Sequence, residues 1–284
     1  MGILAMIFAP FELFSRRKNI GDNEPLHTAP PAFDLSEAVE SLPPDVYLRR
    51  DTATKPSLLL TRAQFVALQE QLPHRFQGRR WRLVFGSEYH GFSRLAFQHN
   101  CAEEVKSACG RERHAVLIIK AGNDGQLLLG AYISVIPQAS NRKYIGSEES
   151  FLFAVPPAVT SGAAEASATA ETREPAATSA PESFIRFFKP PSNAPNRYFM
   201  RCEDGNISLG GGGKGPAVVL HSDFVTVSCS TACPTFGLHE SLLLLNMRDG
   251  DELPSGVKME GGEPFASVRA IQLWVVGDEC FTAL

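Results

Sequence analysis

A chain of 284 residues, 44% apolar and 20% charged, has room for one large domain with appendages or for two small ones, and its composition is neither disordered nor fibrous. A formal charge of −4 gives phosphate backbones no long-range attraction, and no cluster of Lys and Arg with interleaved aromatics reverses that, which argues against nucleic-acid binding. Six cysteines in a chain this long, with nothing at its start like a cleaved secretory leader, read as reduced thiols of the cytosol.

Residues 1–56 read as an N-terminal extension. Met1 to Phe14 is apolar but too short to span a bilayer, Glu12 interrupts it, and Arg16, Arg17 and Lys18 follow. The expectation is weak membrane contact through residues 1–18, with docking on the protein itself or on a partner as the other reading. Gly2 invites N-myristoylation, but Met6 stands where that motif wants Ser or Thr. A Pro-rich and acidic lead-in runs from Gly21 to Pro56, with one short helical candidate at Leu35 to Leu42.

The remainder, 57–284, reads as one domain. Thr61 and Gln64 form a capping box with Leu60 and Phe65 placed as a hydrophobic staple, Phe65, Leu68 and Leu72 share a helix face, and Pro73 ends the run. Trp81 to Phe85 is a buried strand leading into a polar turn that ends at Gly91, with Ser93 as a helix cap. Ser93 to Asn100 fits a short helix, though Leu95 and Phe97 fit a strand as well. Ala115–Lys120 and Gln126–Ser134, joined by Asn123-Asp124-Gly125, make a hairpin, and Glu149–Val155 a further strand.

Residues 157–182 carry Ala, Thr, Ser, Glu and Pro with no apolar period, so a flexible insertion is expected there. Strand signals resume at Ser183–Lys189 and at Arg197–Glu203, where Asp204-Gly205 turns into Asn206–Leu209. Val218–Leu220, Phe224–Cys229, Ser241–Leu245 and Val268–Val276 complete the series. Many short strands and few helices predict an α+β, mainly antiparallel β-sandwich with helices on its periphery.

The run Gly210–Gly213 followed by Lys214 fails the phosphate-loop test, because Ser208 and Gly215 stand where that loop needs Gly and Ser or Thr. The glycines read instead as positions of positive φ or of close backbone approach. Cys229, Cys233 and nearby His239 are an incomplete zinc set. A nucleophile from Cys101, Cys229, Cys233 or Ser93 with a base from His90, His114, His221 or His239 and Asp223 as orienter is a combination that seven histidines supply by chance, and no Gly-x-Ser-x-Gly elbow is present. His90 reads as stabilising a turn or facing a partner. Glu149 reads as accepting backbone N–H bonds in the preceding turn or as an exposed acid fixed at a strand start.

These blocks, in their order, resemble a TLDc domain, the module of the oxidation resistance proteins. The match runs from Trp81-Arg-Leu-Val-Phe-Gly-Ser and His90-Gly-Phe-Ser93 through Ile118-Ile-Lys120, Leu129-Gly-Ala-Tyr132 and Tyr144-x-Gly146-x-x-Glu149-Ser-Phe-Leu-Phe153. It continues with Asn196-Arg-Tyr-Phe199, Leu209-Gly-Gly-Gly-Gly213, Thr235-Phe-Gly237 and Gln272-Leu-Trp274, about residues 57 to 277 in all. The chain departs from the family at Phe188-Lys-Pro-Pro191 and at Ala217-Val-Val-Leu220, where Trp-containing segments are usual.

The resemblance implies a two-sheet sandwich flanked by helices, no catalytic residue set, no cofactor and no metal. It also implies a cytoplasmic monomer that binds peripheral subunits of the vacuolar proton pump (V-ATPase), is recruited to vacuolar or lysosomal membranes and contributes to oxidative stress resistance. Carried over position by position, His90, Gly91, Ser93, Gly130, Glu149, Gly211, Gly212 and Gly213 become candidates for the binding surface, and each also fits a purely structural role. The other function class is a thiol-dependent redox or hydrolytic enzyme using a Cys/His pair.

Overall fold

One strand, Glu263–Val276, belongs to two sheets and holds the molecule together. The computed structural model describes residues 46–48 and 58–277, apart from 109, 141, 157–183, 246, 248 and 249. The N-terminal apolar run, the helical candidate at 35–42 and the insertion at 157–182 lie outside the described residues.

The first sheet carries β1 (Val46–Leu48), β2 (Trp81–Gly86), β3 (His114–Ala121), β4 (Leu127–Ile133), β5 (Phe151–Val155) and β6 (Arg186–Phe188). The second carries β7 (Met200–Glu203), β8 (Asn206–Leu209), β9 (Val218–Leu220), β10 (Thr226–Ser228) and β11 (Val257–Glu260). The shared strand is β12, which pairs β10 and β11 through its first half and β2 and β3 through its second. Register shifts between Val268 and Ala270 and between Leu273 and Trp274 give the strand the local twist that lets it pass from one sheet to the other. All of these pairings are antiparallel except β1 with β2. The protein is therefore an α+β, mainly antiparallel two-sheet sandwich.

The first sheet is buried on both faces, which is why its strands read as near-continuous apolar runs rather than alternating ones. Phe85, Leu117, Ile119, Leu273 and Val275 point between the sheets. Trp81, Leu83, Val116, Ile118 and Trp274 point the other way, beneath helix α1 (Arg62–Gln71). That helix starts as the sequence dictates. Thr61 Oγ1 accepts from Gln64 N at 3.3 Å, Gln64 Oε1 accepts from Thr61 N at 3.0 Å, and Leu60, Phe65, Leu68 and Leu72 are buried against the sheet.

Two segments differ from expectation. Ser241–Leu245 is not a strand: Ser241 Oγ accepts from Leu243 N at 3.3 Å and caps a one-turn helix, Leu242–Leu244, that buries Leu242 and Leu243. The polar turn after β2 contains a four-residue helix, α2 (Ser87–His90). The open assignment at Ser93 resolves as helix α3, Arg94–Ser107, which runs well past Asn100. Its buried stripe is Phe97, Cys101 and Glu104, and the Glu104 carboxylate pairs with both Arg82 and Arg113, tying the helix to β2 and to the entrance of β3.

Candidate functional site: an apolar elbow and its counterweights

The chain leaves β2 at Gly86, passes through α2, and re-enters helical geometry at Ser93, whose Oγ accepts from Ala96 N at 3.2 Å. Gly91 makes the corner with φ 60° and ψ −169°, a conformation side-chain-bearing residues rarely adopt, although the space around it is open. His90, itself exposed, braces the elbow. Its ring stacks on Phe85 at a centroid distance of 5.2 Å, and the Asn100 amide nitrogen lies 3.4 Å from Nε2. Gly86 N donates to His90 Nδ1 at 3.1 Å, and Nδ1 also lies 3.0 Å from Gly86 O, so the ring sits across the Gly86 peptide groups. Three large apolar side chains face water within seven residues: Tyr89, Phe92 and Leu95 are 40%, 38% and 71% exposed. Phe224 packs edge-on to Phe85 and Phe97 beneath the elbow, and its neighbour Val225 is exposed at the same end.

The glycine run sits elsewhere and does other work. Gly211 N donates to Thr235 Oγ1 at 3.1 Å, and that hydroxyl donates to Asn196 Oδ1 at 2.6 Å. A Cβ on Gly211 would stand 2.9 Å from both Tyr144 Oη and Tyr198 Cβ, and those two rings stack at 4.4 Å. Gly212 and Gly213 have φ of 78° and 59° and lie against Asn196 and Pro234. Gly130 is inside the first sheet, where a Cβ would run into Leu117 O and the Phe153 ring, so it shapes the packing rather than the surface.

Among the described residues Glu149 accepts no backbone N–H bond, and it is not a free acid. Arg75 Nη1 and Nη2 grip its two oxygens at 2.5 and 2.6 Å, and the same guanidinium reaches Glu112 through Nη2 at 2.8 Å and Nε at 3.2 Å. Glu112 Oε1 lies 3.0 Å from Nε2 of the fully buried His114. A carboxylate only accepts, so Nε2 bears the proton and the buried Tyr132 hydroxyl donates to Nδ1. The Arg75 bonds, then that of His114, hold the Glu112 carboxyl down at about 2. Burial lowers the His114 pKa, with Glu112 pulling it back, and burial raises that of Tyr132. The ligand atoms of Glu112, His114 and Glu149 lie within 4.8 Å of one another, a donor set a metal could use, but Arg75 already hydrogen-bonds both carboxylates and both His114 nitrogens are engaged.

The family model of the TLDc domain matches residues 53–251. The chain belongs to the TLDc domain family. A comparison with curated proteins finds no match. Within the TLDc domain, His90, Gly91 and Ser93 come together at the elbow, Gly211 to Gly213 form the tyrosine-backed loop, and Glu149 belongs to the Arg75 network, so the eight candidates fall into separate places rather than one pocket.

Three buried thiols of the TLDc domain are poor nucleophiles. Burial pushes Cys101 and Cys229 well above the ordinary range and Cys202 up to about 12, so all three are protonated at neutral pH. Among the described residues no helix is long and apolar enough to cross a membrane. Sequence reasoning missed Arg75, Tyr132, Asn196 and Thr235 as the partners of its candidates, and missed the exposure of Tyr89, Phe92 and Leu95. For the elbow a signal was present: three large apolar residues separated by Gly and Ser in a turn.

Proposed function

We propose that this TLDc protein is a non-enzymatic interaction module that docks on peripheral subunits of the V-ATPase, modulates the pump's assembly or activity, and through it contributes to oxidative stress resistance. It acts in the cytoplasm as a monomer and reaches vacuolar or lysosomal membranes by way of the pump. Family membership supports the class of partner. The observation that carries the reading is the elbow: Tyr89, Phe92 and Leu95 are held outward by a hydrogen-bonded and stacked His90, a rigid apolar presentation of the kind that interfaces use for anchor residues. The burial that keeps Cys101, Cys202 and Cys229 protonated favours this reading over thiol catalysis at those three positions. Co-purification of the full chain with V-ATPase peripheral subunits under mild lysis tests it. Recovery of those subunits is expected, and their absence in repeated preparations overturns the proposal.

A further inference from the structure

Next to the elbow, the first turns of α3 and the β7–β8 hairpin leave a groove of about 320 Å³ between them. Its floor is apolar and fixed: Phe97, Ile207 and Phe224 are each at most 3% exposed, and Phe97 and Phe224 pack edge to face at 5.1 Å. Its rim carries two charges, Arg94 and Asp204.

Arg94 is the first residue of α3, and among the described residues its side chain has neither a hydrogen bond nor an ion pair. Its guanidinium crosses the groove against the Asp204-Gly205 turn, where a Cβ on Gly205 would collide with Arg94 Nη1 and Cδ. Asp204 lies in that turn with φ 52° and forms no ion pair with Arg94. A cation that leans over an apolar groove without an acid of its own, at the electropositive end of a fourteen-residue helix, is complementary to a carboxylate. The volume suits one or two large side chains. A small molecule would fill the groove and leave Leu95 and Val225 bare beside it, whereas a polypeptide segment covers both.

We propose that the groove is the anchor pocket of the docking surface: it takes a large apolar side chain from a partner segment, and a carboxylate close beside that side chain pairs with Arg94. This rests on the reading of the domain as an interaction module, but not on which partner it serves.

Selection from a random peptide library displayed against the intact protein tests it. Enriched peptides are expected to place Asp or Glu beside Leu, Ile, Phe or Trp. Two variants then locate their binding. Arg94→Glu reverses the rim charge while putting an acid in the first turn of α3, where it suits the helix. Ala102→Trp fills the groove from an exposed position that lines it. Each is expected to weaken the selected peptides at least about tenfold, about 1.4 kcal/mol, while Lys214→Glu, exposed and away from the groove, leaves them unchanged. Failure to enrich acidic–apolar sequences, or full binding to both groove variants, overturns the inference. The pump is a separate arm: if peptides bind as expected but V-ATPase subunits do not, the groove stands and the pump reading falls. If the subunits bind wild type and both groove variants equally, the pump reading stands and the groove inference falls.

Discussion

The two ends of the first sheet handle polar and apolar groups in opposite ways. At the end where β2 and β3 begin, Arg75, Glu112, Glu149, His114 and Tyr132 close a network in which the charged groups are paired and the buried rings bonded. At the end where β2 finishes, Tyr89, Phe92 and Leu95 face water and Arg94 has no acid partner among the described residues. Both ends combine ionisable groups with aromatics, so residue type alone does not tell them apart. Satisfaction does: a closed polar network stabilises the fold, and exposed apolar area with an uncommitted charge is left over for something outside the chain.

The largest expected effect is at the closed end. Glu104→Ala removes the acid between Arg82 and Arg113 and leaves a buried guanidinium uncompensated, costing about 3–5 kcal/mol in chemical denaturation. Peptide or pump affinity per folded molecule should not change. If unfolding is unaffected, Glu104 is not the tie between α3 and the sheet. His114→Leu comes next, stranding the Tyr132 hydroxyl at a cost of about 1–3 kcal/mol. Because burial depresses the His114 pKa in the fold, the wild type should lose stability as pH falls below the unfolded value of about 6.5, and the variant should lack that slope. Equal slopes in denaturation at a series of pH values would contradict the assignment.

How much of this was legible in the chain depends on the range of each interaction. The α1 start, written in Thr61 and Gln64 three residues apart, was legible in full, as was the β3–β4 hairpin with its Asn123-Asp124-Gly125 turn. The length of α3 was obscured because its buried stripe contains a glutamate, Glu104, where a periodic reading looks for an apolar residue. The four leucines after Ser241 have no period to separate strand from helix, and the cap decides. The β11–β12 hairpin was overlooked although Gly261 and Gly262, both at positive φ, sit at its turn, because Lys258 to Glu260 are exposed and lack an apolar run. The Arg75 network joins residues 37 and 74 positions apart and left no local trace. Gly130 and Glu149 were marked as notable positions, but only packing shows that both serve the fold.

A smaller effect sharpens the contrast in acid. The Glu112 carboxyl is held at about 2 in the fold against roughly 4.3 unfolded, so its contribution is present above about pH 4.3 and lost as pH falls through about 2. Arg75 and Glu112 are both more than one third exposed, so screening keeps the effect below about 1 kcal/mol. Arg75→Gln should flatten that part of the acid titration, and an unchanged profile would detach Glu112 from Arg75.

The smallest effect on stability belongs to the open end, and it carries the most about function. Phe92→Ser with Leu95→Asp should shift the unfolding midpoint by no more than about 0.5 kcal/mol, since both side chains face water. The decisive measurement is the affinity of V-ATPase peripheral subunits for this double variant alongside His114→Leu, both taken well below their melting temperatures. The well-folded elbow variant is expected to lose binding at least about tenfold while the destabilised His114 variant keeps it. Undiminished binding by the elbow variant would contradict that expectation.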